Sequence, residues 1–118
     1  MPDDGRIVNV STVNTVLPGP GISLYAASKG AVEQLTVIAA HELGKRGITV
    51  NTVSPGYIGT DMVRGIKPDR LEKIVSTIPV KRLGEPDEIA SMVAWLVSDD
   101  AAFATGADFS LNGGLHMG

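Results

Sequence analysis

Tyr25 and Lys29 stand four residues apart in Ser23-Leu24-Tyr25-Ala26-Ala27-Ser28-Lys29-Gly30, where a polar, glycine-rich loop gives way to a long helical pattern. Four residues is slightly more than one helical turn, so both side chains project from one face and the ammonium can lie beside the phenol. A free tyrosine loses its proton near pH ~10, and each unit of lowering corresponds to about 1.4 kcal/mol of preference for the phenolate. A fixed lysine can supply such a preference, so the pair is a candidate proton donor with its tuning cation. Tyr-x-x-x-Lys alone recurs in many helices, and the neighbouring residues decide what it means.

Upstream, Gly5-Arg6-Ile7-Val8-Asn9-Val10-Ser11-Thr12 reads as a short apolar strand ending in two hydroxyls, with Thr12 thirteen positions before Tyr25. Downstream, Gly47-Ile48-Thr49-Val50-Asn51-Thr52-Val53-Ser54-Pro55-Gly56 reads as a second strand broken at Pro-Gly, followed by Tyr57-Ile58-Gly59-Thr60-Asp61. These three signals, in this order and spacing, resemble the short-chain dehydrogenase/reductase family. The likeness continues through Ile78-Pro79-Val80-Lys81-Arg82-Leu83-Gly84-Glu85-Pro86 to Asn112-Gly113-Gly114-Leu115-His116-Met117-Gly118, and so covers essentially the whole chain. Its ending is most similar to the acetoacetyl-CoA reductase group, with the 3-oxoacyl-acyl-carrier-protein reductases next.

The resemblance implies an α/β fold, the C-terminal half of a doubly wound, Rossmann-type parallel sheet. Complete members of the family begin with a glycine-rich βαβ unit that cradles the cofactor pyrophosphate at a helix N-terminus. These 118 residues contain no such unit. Gly19 and Gly21 are the nearest substitute, but no dinucleotide-type strand precedes them, and Pro18 and Pro20 remove N–H donors. The stretch therefore reads as a loop.

Function follows from the same resemblance. Tyr25 is implied as general acid and Lys29 as its electrostatic partner and the ligand of the cofactor ribose. Thr12 falls at the family's catalytic serine position, catalytic and substrate-binding, where threonine keeps the hydroxyl and adds a methyl. Pro55, Gly56, Ile58 and Thr60 are implied at the nicotinamide end of the cofactor, Tyr57 beside the acyl substrate, and Asp61 as a structural helix cap. The implied reaction is reduction of a 3-oxoacyl thioester such as acetoacetyl-CoA. NADP is the implied cofactor; NAD stays open because the residues that select it normally follow a strand outside this segment. Two alternatives remain open at the sequence level: a 3-oxoacyl-acyl-carrier-protein reductase, and a truncated, inactive oligomerisation module. The Val13–Leu24 loop, rich in proline, glycine and apolar residues, bears on acyl-chain preference.

Composition narrows the partners. Ten Lys and Arg against thirteen Asp and Glu give a net charge of −3 with no basic stripe, which argues against nucleic acid and anionic membranes. Without cysteine, disulfides and thiolate metal sites are excluded. His41 and His116 have no second ligand at metal spacing, so no metal is expected. The start Met1-Pro2-Asp3-Asp4 lacks the pattern of a secretory signal, and no apolar run approaches a membrane span of ~18 residues; the expected location is cytoplasmic. By resemblance the chain should be a homo-oligomer, with Met92 and Trp95 in core or subunit contacts.

The elements that must position these groups follow from periodicity and breakers. A strand over Ile7–Val10 leads to a helix over Leu24–Leu43, in which Ala27, Ala31, Leu35, Ile38, Ala39 and Leu43 recur at helical spacing. Ser23 is the expected N-cap, and Gly44 and Gly47 bracket the end. A strand over Ile48–Val53 should pair parallel with the first, because a helix joins them. Helices over Asp69–Ser76 and Pro86–Val97 and a strand over Asp108–Leu111 complete the order. In this topology the Ile7–Val10 strand has one uncovered edge.

Overall fold

A computed structural model describes residues 1–117, so Gly118 at the end of the C-terminal motif lies outside the described residues. The order is β1 (Arg6–Val10), α1 (Ser23–Leu43), β2 (Thr49–Pro55), α2 (Asp61–Arg64), α3 (Pro68–Thr77), α4 (Pro86–Leu96) and β3 (Asp108–Leu111). The three strands form one parallel sheet in the order β1-β2-β3. β1 pairs with β2 from Arg6↔Thr49 to Val10↔Val53, and β3 pairs with β2 from Thr52↔Asp108 to Pro55↔Leu111. The α/β class and parallel pairing expected from sequence are both present. β1 lies at an edge of this sheet, and Val10 near its end is half-exposed.

The central strand is buried along nearly its whole length although four of its seven residues are polar. Ile48 and Val50 pack on Ala40 of α1, with Ile7, Ala39 and Leu43 around them. The side chains of Asn51, Thr52 and Ser54 find partners, as burial requires. Thr52 Oγ1 donates to Thr36 Oγ1 of α1 at 3.0 Å. Asn51 clamps the approach to β3, donating to Ala104 O at 2.8 Å and accepting from Ala107 N at 3.2 Å. Among the described residues Thr49 Oγ1 is the buried side-chain oxygen left without a partner.

Two local expectations are corrected, both at helix starts. Ser23 is the first residue of α1 rather than its cap; Ile22 occupies the cap position and offers no side-chain bond. The apolar residues of α1 divide between its faces: Ala27, Ala31, Leu35 and Ile38 are exposed, whereas Ala39 and Leu43 pack around Ala40, Ile48 and Val50. α1 carries apolar residues all round, so its period marks a helix without marking its inner face. The short α2 is capped by Thr60, whose Oγ1 accepts from Val63 N at 3.4 Å, and Asp61 is its first residue instead of its cap.

Candidate active site

Ligands of open parallel sheets bind beyond the carboxyl ends of the strands, and Thr12 and the segment from Pro55 to Thr60 follow the carboxyl ends of β1 and β2. Ser11 N donates to Val53 O at 2.8 Å, extending the β1–β2 ladder by one residue and setting the end of β1 beside the end of β2. Thr12, buried and extended, comes next; its Oγ1 accepts from Asn14 N at 3.3 Å and opens a single 3-10 turn over Val13–Thr15. That bond uses the threonine oxygen as acceptor and leaves its proton free to donate.

Tyr25 sits on the first turn of α1, 48% exposed, and its hydroxyl makes no hydrogen bond to any described residue. One turn on, Lys29 Nζ donates to Val10 O at 3.0 Å. The lysine thus reaches the same strand end that presents Thr12, two residues further along. One of its three N–H donors is used, leaving two for another ligand. Ser11 turns the other way: its Oγ donates to Glu33 Oε2 at 2.9 Å. Thr12 and Ser11 therefore have separate partners, as the alternation of an extended chain requires.

Beyond β2, the loop is built by close backbone packing. A Cβ at Gly56 would stand 2.7 Å from Asn112 Cβ and 2.8 Å from Asn112 Cα, so this glycine is required by the chain leaving β3. The close approach expected at Pro55-Gly56 is thus made by protein. Gly84 N donates to Tyr57 O at 2.9 Å and Gly59 N to Gly84 O at 2.7 Å, a parallel bridge of Ile58 with Gly84. Tyr57 and Ile58 line a cavity of about 300 Å³ with Arg82, Asn112 and Gly113, whose lining includes neither the exposed Thr60 nor Thr12, Tyr25 and Lys29. The Thr60 hydroxyl accepts as a cap and still has its proton to donate.

Arg82 and Glu88, not singled out from sequence, form a two-pronged ion pair at 2.6 and 3.0 Å. The guanidinium and the Glu85 backbone N–H hold the Glu88 carboxyl at about 2, below its usual 4.5. The signal was present in Glu85-Pro86-Asp87-Glu88, the spacing of a reciprocal cap. Glu33 had a weaker one, its place four residues after Lys29.

Lys29 has unused N–H donors and Thr60 a hydroxyl proton, a donor set whose chemistry suits the ribose and carboxamide of a dinucleotide. The Pro18–Gly21 loop lines a separate open trough of about 420 Å³ with Asn14, Thr15 and Ser23. Its prolines leave too few N–H donors to ring a pyrophosphate. Among the described residues no three His, Asp or Glu side chains cluster as metal ligands, and no helix is long and apolar enough to cross a membrane.

Residues 1–116 match the family profile described as enoyl-(acyl carrier protein) reductase. The chain belongs to the short-chain dehydrogenase/reductase family. It is 59% identical over 114 residues to an acetoacetyl-CoA reductase of Cupriavidus necator, covering 97% of this chain and 46% of that protein. It is 44% identical over 113 residues to a 3-oxoacyl-[acyl-carrier-protein] reductase of Pseudomonas aeruginosa, covering 96% and 46%. The chain spans about half the length of the curated relatives it matches. Among solved structures, a short-chain dehydrogenase/reductase from Brucella melitensis superposes with a TM-score of 0.92 at 36% identity, covering all of this chain and 48% of its own. A blue fluorescent protein from a metagenomic library, in complex with NADPH, superposes with a TM-score of 0.91 at 40% identity, covering 99% and 47%.

Proposed function

We propose that this chain is the proton-donating part of an NADPH-dependent reductase of 3-oxoacyl thioesters, with acetoacetyl-CoA as the favoured substrate. The observation that carries the reading is the meeting at one strand end of Lys29, bonded to Val10 O, and Thr12, with Tyr25 one turn from that lysine and its hydroxyl unclaimed. The 59% identity to an acetoacetyl-CoA reductase supports the substrate class, and the NADPH-bound neighbour supports the cofactor.

In this reading Thr12 donates a hydrogen bond to the substrate carbonyl oxygen and Tyr25 delivers its proton to the same atom, so negative charge does not build up unassisted. Lys29 keeps positive charge beside the phenol and bonds the ribose hydroxyls with its remaining N–H groups. The bound dinucleotide supplies the hydride. Thr60 offers its hydroxyl proton to a carboxamide oxygen, and Tyr57 flanks the acyl chain from the cavity it lines. A homo-oligomer belongs to the same proposal; exposed Leu24, Leu35 and Ile38 on α1 and the half-exposed Trp95 on α4, stacked edge-on against Phe109, are its support.

The test is NADPH oxidation with acetoacetyl-CoA by the purified chain and by a chimera carrying residues 1–116 in place of the matching segment of the Cupriavidus necator relative. Tyr25→Phe should lower turnover by about 10²- to 10⁴-fold, the usual worth of a positioned general acid. A chimera whose rate ignores that substitution would sink the reading, and one that folds and binds NADPH without turnover would favour the inactive module.

A further inference from the structure

The contact between α1 and the end of β1 is polar, whereas further back Ile7 joins the apolar cluster of Ala39, Ala40 and Leu43. Three successive turns of α1 grip the end of β1: Lys29 Nζ donates to Val10 O at 3.0 Å, Glu33 Oε2 accepts from Ser11 Oγ at 2.9 Å, and Thr36 Oγ1 accepts from Asn9 Nδ2 at 2.9 Å. The first rung uses a residue already given a role, and the third is completed by Thr52 within the core. The middle rung has no part in the chemistry so far. Its serine is 4% exposed, and a hydroxyl bonded to a carboxylate is among the stronger neutral-to-ion hydrogen bonds.

Position makes that rung consequential. Ser11 immediately precedes Thr12, and Glu33 lies four residues after Lys29 and eight after Tyr25 on the same helix. Thr12 is extended, with φ −161° and ψ 152°, so holding Ser11 against α1 turns the next side chain away from Glu33. The same hydroxyl also lies 3.5 Å from Lys29 O of the helix backbone, so the 2.9 Å bond to Glu33 is the shorter of its two ties to α1. We infer that Glu33 is a positioning residue: its carboxylate anchors Ser11 and thereby fixes Thr12 at the level of Tyr25 and Lys29. The inference deepens the proposed reductase centre and, for its kinetic consequence, rests on it. Glu33 touches no reacting atom in this scheme and acts through Ser11.

The experiment compares Glu33→Gln, Glu33→Leu, Ser11→Ala and the Ser11→Ala/Glu33→Leu double variant in the full chain. Two readouts are taken: amide hydrogen exchange over Thr12–Val16, and steady-state kinetics with acetoacetyl-CoA and NADPH. Glu33→Gln keeps an oxygen acceptor and should match the parent in both. Glu33→Leu and Ser11→Ala should each speed exchange at Thr12 and its neighbours by about tenfold, reflecting a loosened strand end. They should also lower kcat by about 10- to 100-fold with little change in KM, as expected when a catalytic group is misplaced. The double variant should be no worse than either single one, because both break the same bond. Additive losses, a glutamine variant that fails like leucine, or unchanged exchange in Glu33→Leu would each overturn the inference. If the parent shows no Tyr25-dependent turnover, the reductase reading fails separately, and exchange alone decides whether Glu33 anchors the strand end. Should Glu33→Leu not fold, Ser11→Ala against Glu33→Gln makes the same comparison.

Discussion

The two ends of the site are built on opposite principles. Along α1 and β1, the groups proposed for chemistry stand on an edge strand and a helix whose outer face is apolar and open. Between Gly56 and Gly114 the chain packs closely on itself, and at Gly56, Gly84 and Gly113 an added Cβ would stand 2.7 Å from a neighbouring atom. The first region is held by a few polar bonds and leaves room beside its functional groups; the second is satisfied within itself and acts as a rigid floor. The side chains proposed to meet a ligand stand where the chain still has unused donors, whereas the loops from Gly56 to Gly114 are fixed by packing.

Glycine substitutions expose this contrast most sharply. Gly113 has a positive φ of 65°, and a Cβ there would lie 2.7 Å from both Ile78 Cγ2 and Val80 Cγ2. Gly113→Ala should therefore cost about 2–4 kcal/mol, from left-handed backbone strain and overpacking together. The midpoint of urea unfolding measures it, and an unchanged midpoint would deny that the floor is tightly built. On the other side, Gly30 lies within α1 and a Cβ there meets nothing within 4 Å. Gly30→Ala should raise stability by about 0.5–1 kcal/mol through helix propensity alone. A loss instead would mean that the space beside Lys29 is filled.

Much of the frame was legible because its signals are local. β-branched runs ending at Ser-Thr and at Pro-Gly gave β1 and β2 to within two residues, the short run after Gly106 gave β3, and Pro68 and Pro86 open α3 and α4 at their first positions. What could not be read was direction. With Leu24, Leu35 and Ile38 on one side of α1 and Val32, Ala40 and Leu43 on the other, periodicity finds the helix but not its buried face. The inner face also carries Lys29, Glu33 and Thr36, whose place depends on partners in β1 rather than on hydrophobicity. Tyr25, Lys29 and Thr12 were recognisable because their spacing is itself the signal, whereas the need for Gly56 comes from Asn112, 56 residues away.

The outward face of α1 permits a subtler test of the same contrast. Leu35 and Ile38 are 63% and 54% exposed, so Leu35→Lys with Ile38→Lys should change the stability of a single chain by no more than about 0.5 kcal/mol, as for surface changes generally. In sedimentation equilibrium the same double variant should shift the mass toward the monomer. Unfolding of the dilute chain would instead mark these residues as part of its own core.

The smallest effect belongs to the floor and is read with acid. Arg82 and Glu88 are both about half exposed, with side-chain accessibilities of 56% and 46%, so their pairing is screened by solvent and does little for global stability. Its local consequence is still defined in sign. The Glu88 carboxyl is held at about 2, against its ordinary 4.5, first by its bond from Arg82 and then by its bond from Glu85 N–H. A carboxyl lowered on folding contributes above its unfolded value and loses that contribution as pH falls through the folded one. The cap of α4 should therefore stay intact at pH 4.5, where an unpaired glutamate is half protonated, and loosen only toward pH 2. The carboxyl-carbon shift of Glu88, followed by NMR beside the Glu85 amide, gives the midpoint directly. A midpoint near 4.5 would show that the loop carrying Gly84 is not clamped at this end, and the rigidity of the floor would then rest on Gly56 and Gly113 alone.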